Sequence, residues 1–424
     1  MFRWVVAAFL TLYTMINVVD RVAISVGTEP ITRELGLNPA QWGLVLGVFF
    51  VGLVPATIAT GYLADRHGAR RWQLIGATSW SLLTAATTLV NSFGALLVVR
   101  FLFGVGEGPG GSVGGRVIAN WIPARQRGRT FSMIMVGIQL APALGVPLIA
   151  WIMVELGWRP AFLILGGVGL LWVLAWRVIF TDDPARNRFV GERELAVIQR
   201  GITTPEHLRA VPETGLRPDR MRTLAGCFWG MFCTGYLLYF LLTWLPGYFS
   251  MARGLDLKQM GVAASLPWLG GVLGVLLGGL LTDRILARTG RFRWARAYPA
   301  SAALLVSAIG LYICASAVSL PAAIALLALV SFCLGWIGPV LSSVVLDVTW
   351  RRAGLFSGVS QALEATAGVV APVLTGVIVN RSGSFDLAFT IAALVAASGA
   401  VAVFGLVRHA GDASTAPERQ KESR

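Results

Sequence analysis

Charge is scarce in this 424-residue chain: 13% of residues are charged and 56% are hydrophobic. A soluble globular chain carries about 25% charged residues, so a soluble domain is excluded. Lysine is nearly absent, with Lys258 and Lys421 the only two, and almost all positive charge is arginine. The four cysteines (Cys227, Cys233, Cys314, Cys333) lie inside apolar runs without a CxxC spacing. They read as small buried hydrophobes, which excludes a disulfide or metal framework. The three histidines (His67, His207, His409) fall in loops or the tail, so no histidine relay is expected inside a membrane. There is no P-loop, no HExxH and no GxSxG in a strand–turn–helix setting. ATP is therefore not the energy source, no enzyme is expected, and neither is a cofactor or a bound metal. The N-terminal apolar run has no A-x-A-like end and reads as a retained first span, not a signal peptide.

What the chain has is long apolar blocks. A membrane-spanning helix needs about 20 mostly apolar residues. Twelve blocks qualify, at 5–26, 41–62, 72–91, 94–118, 130–154, 159–180, 224–248, 260–282, 296–317, 321–346, 355–379 and 386–407. The expected organisation is an N-terminal six-helix bundle (1–180), a cytoplasmic linker (181–222), a C-terminal six-helix bundle (223–408) and a cytoplasmic tail (409–424). Within the linker, Gly191–Gly201 has the pattern of an amphipathic surface helix. The net charge of +14 points to cytoplasmic loops, not to nucleic acid. With both termini inside, the inner loops collect Arg66, Arg70, Arg71, Arg125, Arg127, Arg129, Arg284 to Arg296, Arg351 and Arg352. The outer loops keep only Arg33, Arg159, Arg253, Lys258 and Arg381.

Inside the apolar blocks, charges stand out. Arg100 to Gly115 reads RFLFGVGEGPGGSVGG. On a helix Arg100 and Glu107 share one face with Gly104, Gly108, Gly111 and Gly115, so other helices can approach closely along that stripe. An ionisable group at bilayer depth costs roughly 2.5–3.5 kcal/mol on insertion scales, so it calls for a function. Span 1 holds Asp20 and Arg21. Asp20 stands about 24 Å along the helix from Trp4, and Arg100 about 9 Å from Gly94. In a layer about 30 Å thick the two reach similar heights and can pair, with Glu107 about 10 Å deeper. A purely structural pair, Asp20–Arg100 or Arg21–Glu107, is the competing expectation. Burial favours a carboxylate's neutral form and an arginine nearby favours its charged form, so a change of partner changes proton affinity. Arginine keeps its charge and grips a carboxylate through two parallel hydrogen bonds.

A local element also repeats. Gly61-Tyr-Leu-Ala-Asp65-Arg66-His-Gly68-Ala-Arg70-Arg71 follows span 2, and Gly279-Leu-Leu-Thr-Asp283-Arg284 follows span 8. Same element, same side, six spans later: two parallel halves. The first copy resembles the loop 2–3 signature of the major facilitator superfamily. The resemblance implies an all-α integral membrane fold of twelve transmembrane helices in two pseudo-symmetric six-helix bundles. It also implies a gating role for Gly61, Asp65, Arg66, Gly68, Arg70, Arg71, Asp283 and Arg284, with the aspartate capping a neighbouring helix and binding arginines. Asn17-Val-Val-Asp20-Arg21, the Arg100–Glu107–Pro109 pattern, Asn120-Trp121 with Pro123, Gln139 and Pro372 resemble the anion:cation symporter group.

By that resemblance Asp20 and Glu107 are proton sites, Arg100 couples them, and Arg21 takes a substrate carboxylate. Gln139 and Gln361 fall in the substrate-binding set, joined by Tyr236 and Tyr239 as cavity candidates of span 7. Trp244 and Tyr248 are expected in the outer aromatic belt. Val18 stands where many sugar-acid carriers of the group have an aromatic, so a less hydroxylated or aromatic carboxylate also fits. Glu364 in span 11 falls outside the family pattern: a second proton site, a contact to a polar substrate group, or a partner for an arginine. Asp347 beside Trp350, Arg351 and Arg352 reads as a pair at the inner end of span 10. The expected function is a proton-coupled symporter importing a small organic anion, monomeric, in the cell inner membrane. A proton-antiporting exporter of drugs or metabolites is the alternative, and a ligand sensor the third.

Overall fold

The computed structural model describes residues 1–202, 218–316, 319–349 and 353–408. The described residues are helical throughout, without a strand. The first set of helices is α1 (Phe2–Val26), the short α2 (Thr28–Leu35), α3 (Pro39–His67), α4 (Ala69–Ala86), α5 (Phe93–Glu107), α6 (Pro109–Trp121), α7 (Arg127–Leu156) and α8 (Trp158–Ile179). A surface helix α9 (Glu192–Ile202) precedes the second set: α10 (Pro218–Gly247), α11 (Leu257–Thr289), α12 (Tyr298–Cys314), α13 (Leu320–Thr349), α14 (Ala353–Ser382) and α15 (Asp386–Leu406).

Eleven stretches are long and apolar enough to cross a membrane. The twelfth, α4, falls short because Arg70 and Arg71 open it and Gln73, Thr78, Ser79, Ser81 and Thr84 dilute its apolar residues. It crosses nonetheless, packed along α8 and α5, with Gln73, Ser81 and Thr84 buried inside the set and away from lipid.

Span 4 is two helices. Pro109 has no N–H to continue the ladder, and Gly108 N–H reaches back to the Val105 carbonyl at 3.2 Å instead. The break leaves Glu107 as the last residue of α5 and Pro109 as the first of α6. The glycine stripe divides with it. A Cβ on Gly104 or Gly108 would collide with the α3 backbone at Phe49 or Ala56, so close approach is real there. Gly115 faces open space, and Gly111 meets only the Gln361 side chain.

The two sets converge at the end of the bundle away from the chain termini. There α3 packs on α14 and α7 on α11. A Cβ on Gly43 would lie 2.6 Å from the Pro372 carbonyl, and one on Gly376 would lie 2.5 Å from the Pro39 carbonyl and 2.9 Å from the Gly43 Cα. Lys258 reaches Glu155 across the junction at 3.3 Å. Trp244 and Tyr248, expected in a lipid-facing belt, are buried instead. Trp244 donates to the Pro372 carbonyl at 3.1 Å, and Tyr248 packs on Phe385 and Phe389. Trp42 fills the same end, buried and donating to the Thr28 hydroxyl at 3.1 Å.

Toward the opposite end the sets diverge, and a Cβ on Gly114, Gly115, Gly338 or Gly358 would meet nothing within 4 Å. Gly68 (φ +89°) opens α4, and the next turn is tied to its own half: Arg70 N–H donates to Asp182 Oδ1 at 2.9 Å and its guanidinium to the Arg177 carbonyl at 2.5 Å. In the second half Arg296 donates to Asp283 at 3.4 Å, while Arg284 is exposed. Helix α9 straps the first half. Glu194 accepts from the Phe2 and Arg3 amides at 2.6 and 3.1 Å and from the Arg3 guanidinium at 3.1 Å. Burial opposes the Glu194 charge, but these donors and the terminal ammonium outweigh it and hold the carboxyl below its ordinary range.

The tight α3–α14 crossing yields a prediction. Gly376→Val puts a branched side chain against backbone, where overpacking costs about 1–3 kcal/mol. The converged end should separate. A cysteine placed at Val373, which packs on Gly47, should then label several-fold faster with a membrane-impermeant maleimide. Equal labelling rates would show that the crossing absorbs the extra methyls.

Candidate functional site

Asp20 and Arg21 are adjacent in sequence and about 100° apart on α1, so they face different surroundings. Asp20 turns into the first half and is 1% exposed. Thr84 of α4 lies beside it, yet neither carboxylate oxygen makes a hydrogen bond among the described residues. Arg21 keeps a side chain 19% exposed, and its Nε donates to Glu107 Oε2 at 2.6 Å. Glu107 itself is sealed, at 1%, and its second oxygen is unpartnered. Placing it at the α5–α6 break holds it at the end of a rigid helix beside Arg21.

Arg100 does not form an ion pair with Asp20 among the described residues. It lies against aromatic rings, its guanidinium carbon 4.9 Å from the Phe103 centroid and 5.2 Å from that of Phe49. Arg21 uses the same Phe49 ring at 5.1 Å. Two like charges therefore share one aromatic ring, whose electron-rich face attracts both. Arg100 remains within electrostatic reach of both Asp20 and Glu107. Of the two pairings open to the sequence, the fold builds Arg21–Glu107 and leaves Asp20 without a hydrogen-bonded partner. Two desolvated carboxylates and two arginines thus form one cluster, with Arg21 at its rim. Such a cluster can exchange a partner at the rim while protons redistribute behind it.

Sequence reasoning missed Phe49, which sits in an apolar run with nothing to distinguish it. It also missed the polar surroundings of the two acids: Thr84 of α4 beside Asp20, and Tyr13 within electrostatic reach of Glu107 and Arg21, its hydroxyl unpartnered and its ring edge-on against Trp80 at 4.6 Å. The polar content of α4 was the available signal.

The remaining candidates separate. Tyr239 stands at the junction of the halves, its ring 4.4 Å from that of Phe50 and within electrostatic reach of Arg21 and Glu107. Tyr236 is buried in the apolar core at 2% exposure and does not line an opening. Gln139 is buried where α7 meets α11, its amide against Gly271, so it belongs to the converged junction. Gln361 is exposed and faces Gly111 across the divergence. Glu364 is half-buried against Gly235 of α10. Gly61 lies in the last turns of α3; Arg66 is exposed and stacks over Tyr62 at 4.8 Å, and Arg71 is exposed. The Asp65 and Asp347 side chains, with Trp350, Arg351, Arg352, residues 203–217 and the tail from 409, lie outside the described residues. Among the described residues no group of three or more His, Cys, Asp or Glu could hold a metal.

Known proteins agree with this architecture. The sequence profile of the Major Facilitator Superfamily matches residues 9–299. A probable sulfoacetate transporter of Cupriavidus necator is 34% identical over 410 residues, covering 94% of this chain and 93% of its own. A hexuronate transporter of Bacillus subtilis is 30% identical over 406 residues, covering 95% and 94%. A probable L-galactonate transporter of Escherichia coli is 30% identical over 400 residues, covering 93% and 87%. Among solved structures, a bacterial homolog of the human lysosomal transporter Spinster, in an inward-facing and unoccupied conformation, superposes with a TM-score of 0.70 at 18% identity. It covers 96% of this chain and 95% of that one; the likeness is one of fold. With twelve crossing helices, two convergent halves and a charged cluster between α1 and α5, the chain is a multi-pass membrane transporter, not an enzyme, and belongs to the Major Facilitator Superfamily in its anion:cation symporter group.

Proposed function

We propose that the protein imports a small organic anion together with one or more protons by alternating access. The observation that carries this reading is the Arg21–Glu107 pair: a reachable arginine holding a sealed carboxylate at 2.6 Å. An incoming carboxylate competes with Glu107 for Arg21. Once it takes the guanidinium, Glu107 is left charged among apolar neighbours, which is costly unless it binds a proton. Anion and proton then enter the cluster together, and their charges cancel for the crossing. Asp20, already without a hydrogen-bonded partner, is the second proton site, and Arg100 senses the charge of both acids. The names of the relatives, carriers of hexuronate, galactonate and sulfoacetate, support an organic anion as cargo. The arginine-rich ends of α3, α4 and α7, at the end where the halves diverge, support cytoplasmic termini and a bacterial inner membrane. The form described then opens to the cytoplasm, with the gating motifs released into their separate halves.

The test is uptake into proteoliposomes holding the purified protein. Labelled hexuronate and galactonate are offered with an acidic exterior, with and without a protonophore. At least one acid should accumulate above its external concentration, and the protonophore should abolish that accumulation. Equal uptake with and without the gradient would remove proton coupling. Gradient-driven efflux of a non-acidic compound, with no acid uptake, would favour an exporter.

A further inference from the structure

On α14, Gln361, Glu364, Gly368 and Pro372 recur at helical spacing and form one stripe. Its far part is spent on the junction: a Cβ on Gly368 would lie 2.5 Å from the Phe50 ring, and the Pro372 carbonyl abuts Gly43. Phe50 also packs on Tyr239. That aromatic contact ends the closed region. The next members of the stripe, Glu364 and Gln361, come where the halves begin to part. A Cβ on Gly235 would lie 2.7 Å from the Glu364 Cγ, so a glycine on α10 makes room for this side chain. Gln361 points at Gly111 and Gly115 is open beside it. Glu364 forms no ion pair among the described residues. Tyr239 lies within electrostatic reach of Glu364 on one side and of Arg21 on the other. Groups of both signs that solvent reaches therefore flank Phe50 and Tyr239: a guanidinium on α1, a carboxylate and an amide on α14.

We infer that Glu364 is a specificity-determining residue that selects monoanionic acids carrying a hydrogen-bond donor, hydroxyl or ammonium, at the end opposite the carboxylate, and rejects dianions. This rests on the proposed reading of Arg21 as the carboxylate site. A substrate gripped by Arg21 presents its other end to Glu364. A hydroxyl or ammonium there donates to a carboxylate that has no cation of its own, and Gln361 can donate or accept beside it. A second anionic group there meets a like charge in a low-dielectric space, and such a juxtaposition discriminates through repulsion. A role as an arginine's partner is not favoured, because Glu364 makes no ion pair with an arginine among the described residues.

The test compares galacturonate, a hydroxylated monoanion, with galactarate, the dianion of the same carbon number, in the same proteoliposomes. Wild type should take up galacturonate at least tenfold faster than galactarate. Glu364→Gln, nearly isosteric, should shrink that ratio at least tenfold by gaining galactarate uptake, with uptake still driven by the pH gradient. Glu364→Asp keeps the charge and should keep the discrimination. It is also the control should Glu364→Gln fail to fold, as judged by melting temperature and gel filtration. Equal wild-type rates for the two acids, or an unchanged ratio in Glu364→Gln, overturns the inference alone. Loss of gradient coupling in Glu364→Gln for both acids makes Glu364 a proton carrier and also overturns it. If wild type moves no acid at all, the transport reading falls first and takes this one with it.

Discussion

Proteoliposomes carrying Asp20→Asn or Glu107→Gln should show no accumulation of acid when a pH gradient is imposed, while the folded protein is recovered in normal yield. Both substitutions keep the shape of the side chain and remove the titrating proton. Asp20 is sealed and makes no hydrogen bond in the structure, so an amide there loses no ion pair. Its melting temperature should stay close to that of wild type, since no ion pair or hydrogen bond is lost. Glu107 differs, because its charge holds Arg21. Glu107→Gln should lower the melting temperature through the lost ion pair and also free Arg21. The variant should therefore bind carboxylates as well as wild type or more tightly, and exchange them down their gradient, without concentrating them. Retained proton-driven accumulation in both variants would end the proposal that these acids carry protons. Unequal shifts in melting temperature, with coupling lost in both, would show that stability and coupling are separate properties of the two acids.

Arg21→Ala should abolish binding. Truncating one member of a buried charged pair costs about 3–5 kcal/mol, mostly because its partner is left unpaired. Losing the same kind of hydrogen-bonded charge pair to a bound carboxylate costs a similar amount, about 10²-fold to several 10³-fold in affinity, since each 1.4 kcal/mol is tenfold. Arg21→Lys keeps the charge but not the planar fork, so binding should return in part and uptake stay slow. The measurement is thermal shift against a series of carboxylates, because a ligand that binds only the native state raises apparent stability. A full ligand-induced shift in Arg21→Ala would make the arginine structural and revive the exporter reading. Arg100→Lys offers a useful contrast. Arg100 is enclosed by Phe49 and Phe103 and has no route to substrate in this form, so its replacement should leave binding closer to wild type than that of Arg21.

Much of this molecule was written along the chain. The apolar blocks set the number of crossings, because an unbroken run of about 20 apolar residues has no other stable place. The one crossing that hydropathy undervalues, α4, is polar because Gln73, Ser81 and Thr84 face the interior of the first half. The charged residues of α1 and α5 stood out because charge inside an apolar run is expensive. Which charges meet was not written there. Asp20 and Arg21 differ by one step on a helix, and a rotation of about 100° decides which is sealed and which is reachable. That rotation is set by packing against α7, α10, α8 and α6. The break at Pro109, the shared Phe49 ring and the Gly43–Gly376 crossing all depend on where two helices lie in space. A glycine in sequence does not say which backbone will press on it, and an arginine does not say which acid will reach it. Periodicity and burial cost thus determined the spans and their charged faces. Only the three-dimensional packing decided that Arg21 holds Glu107, that Asp20 is left without a hydrogen-bonded partner, and that Glu364 stands where the halves part.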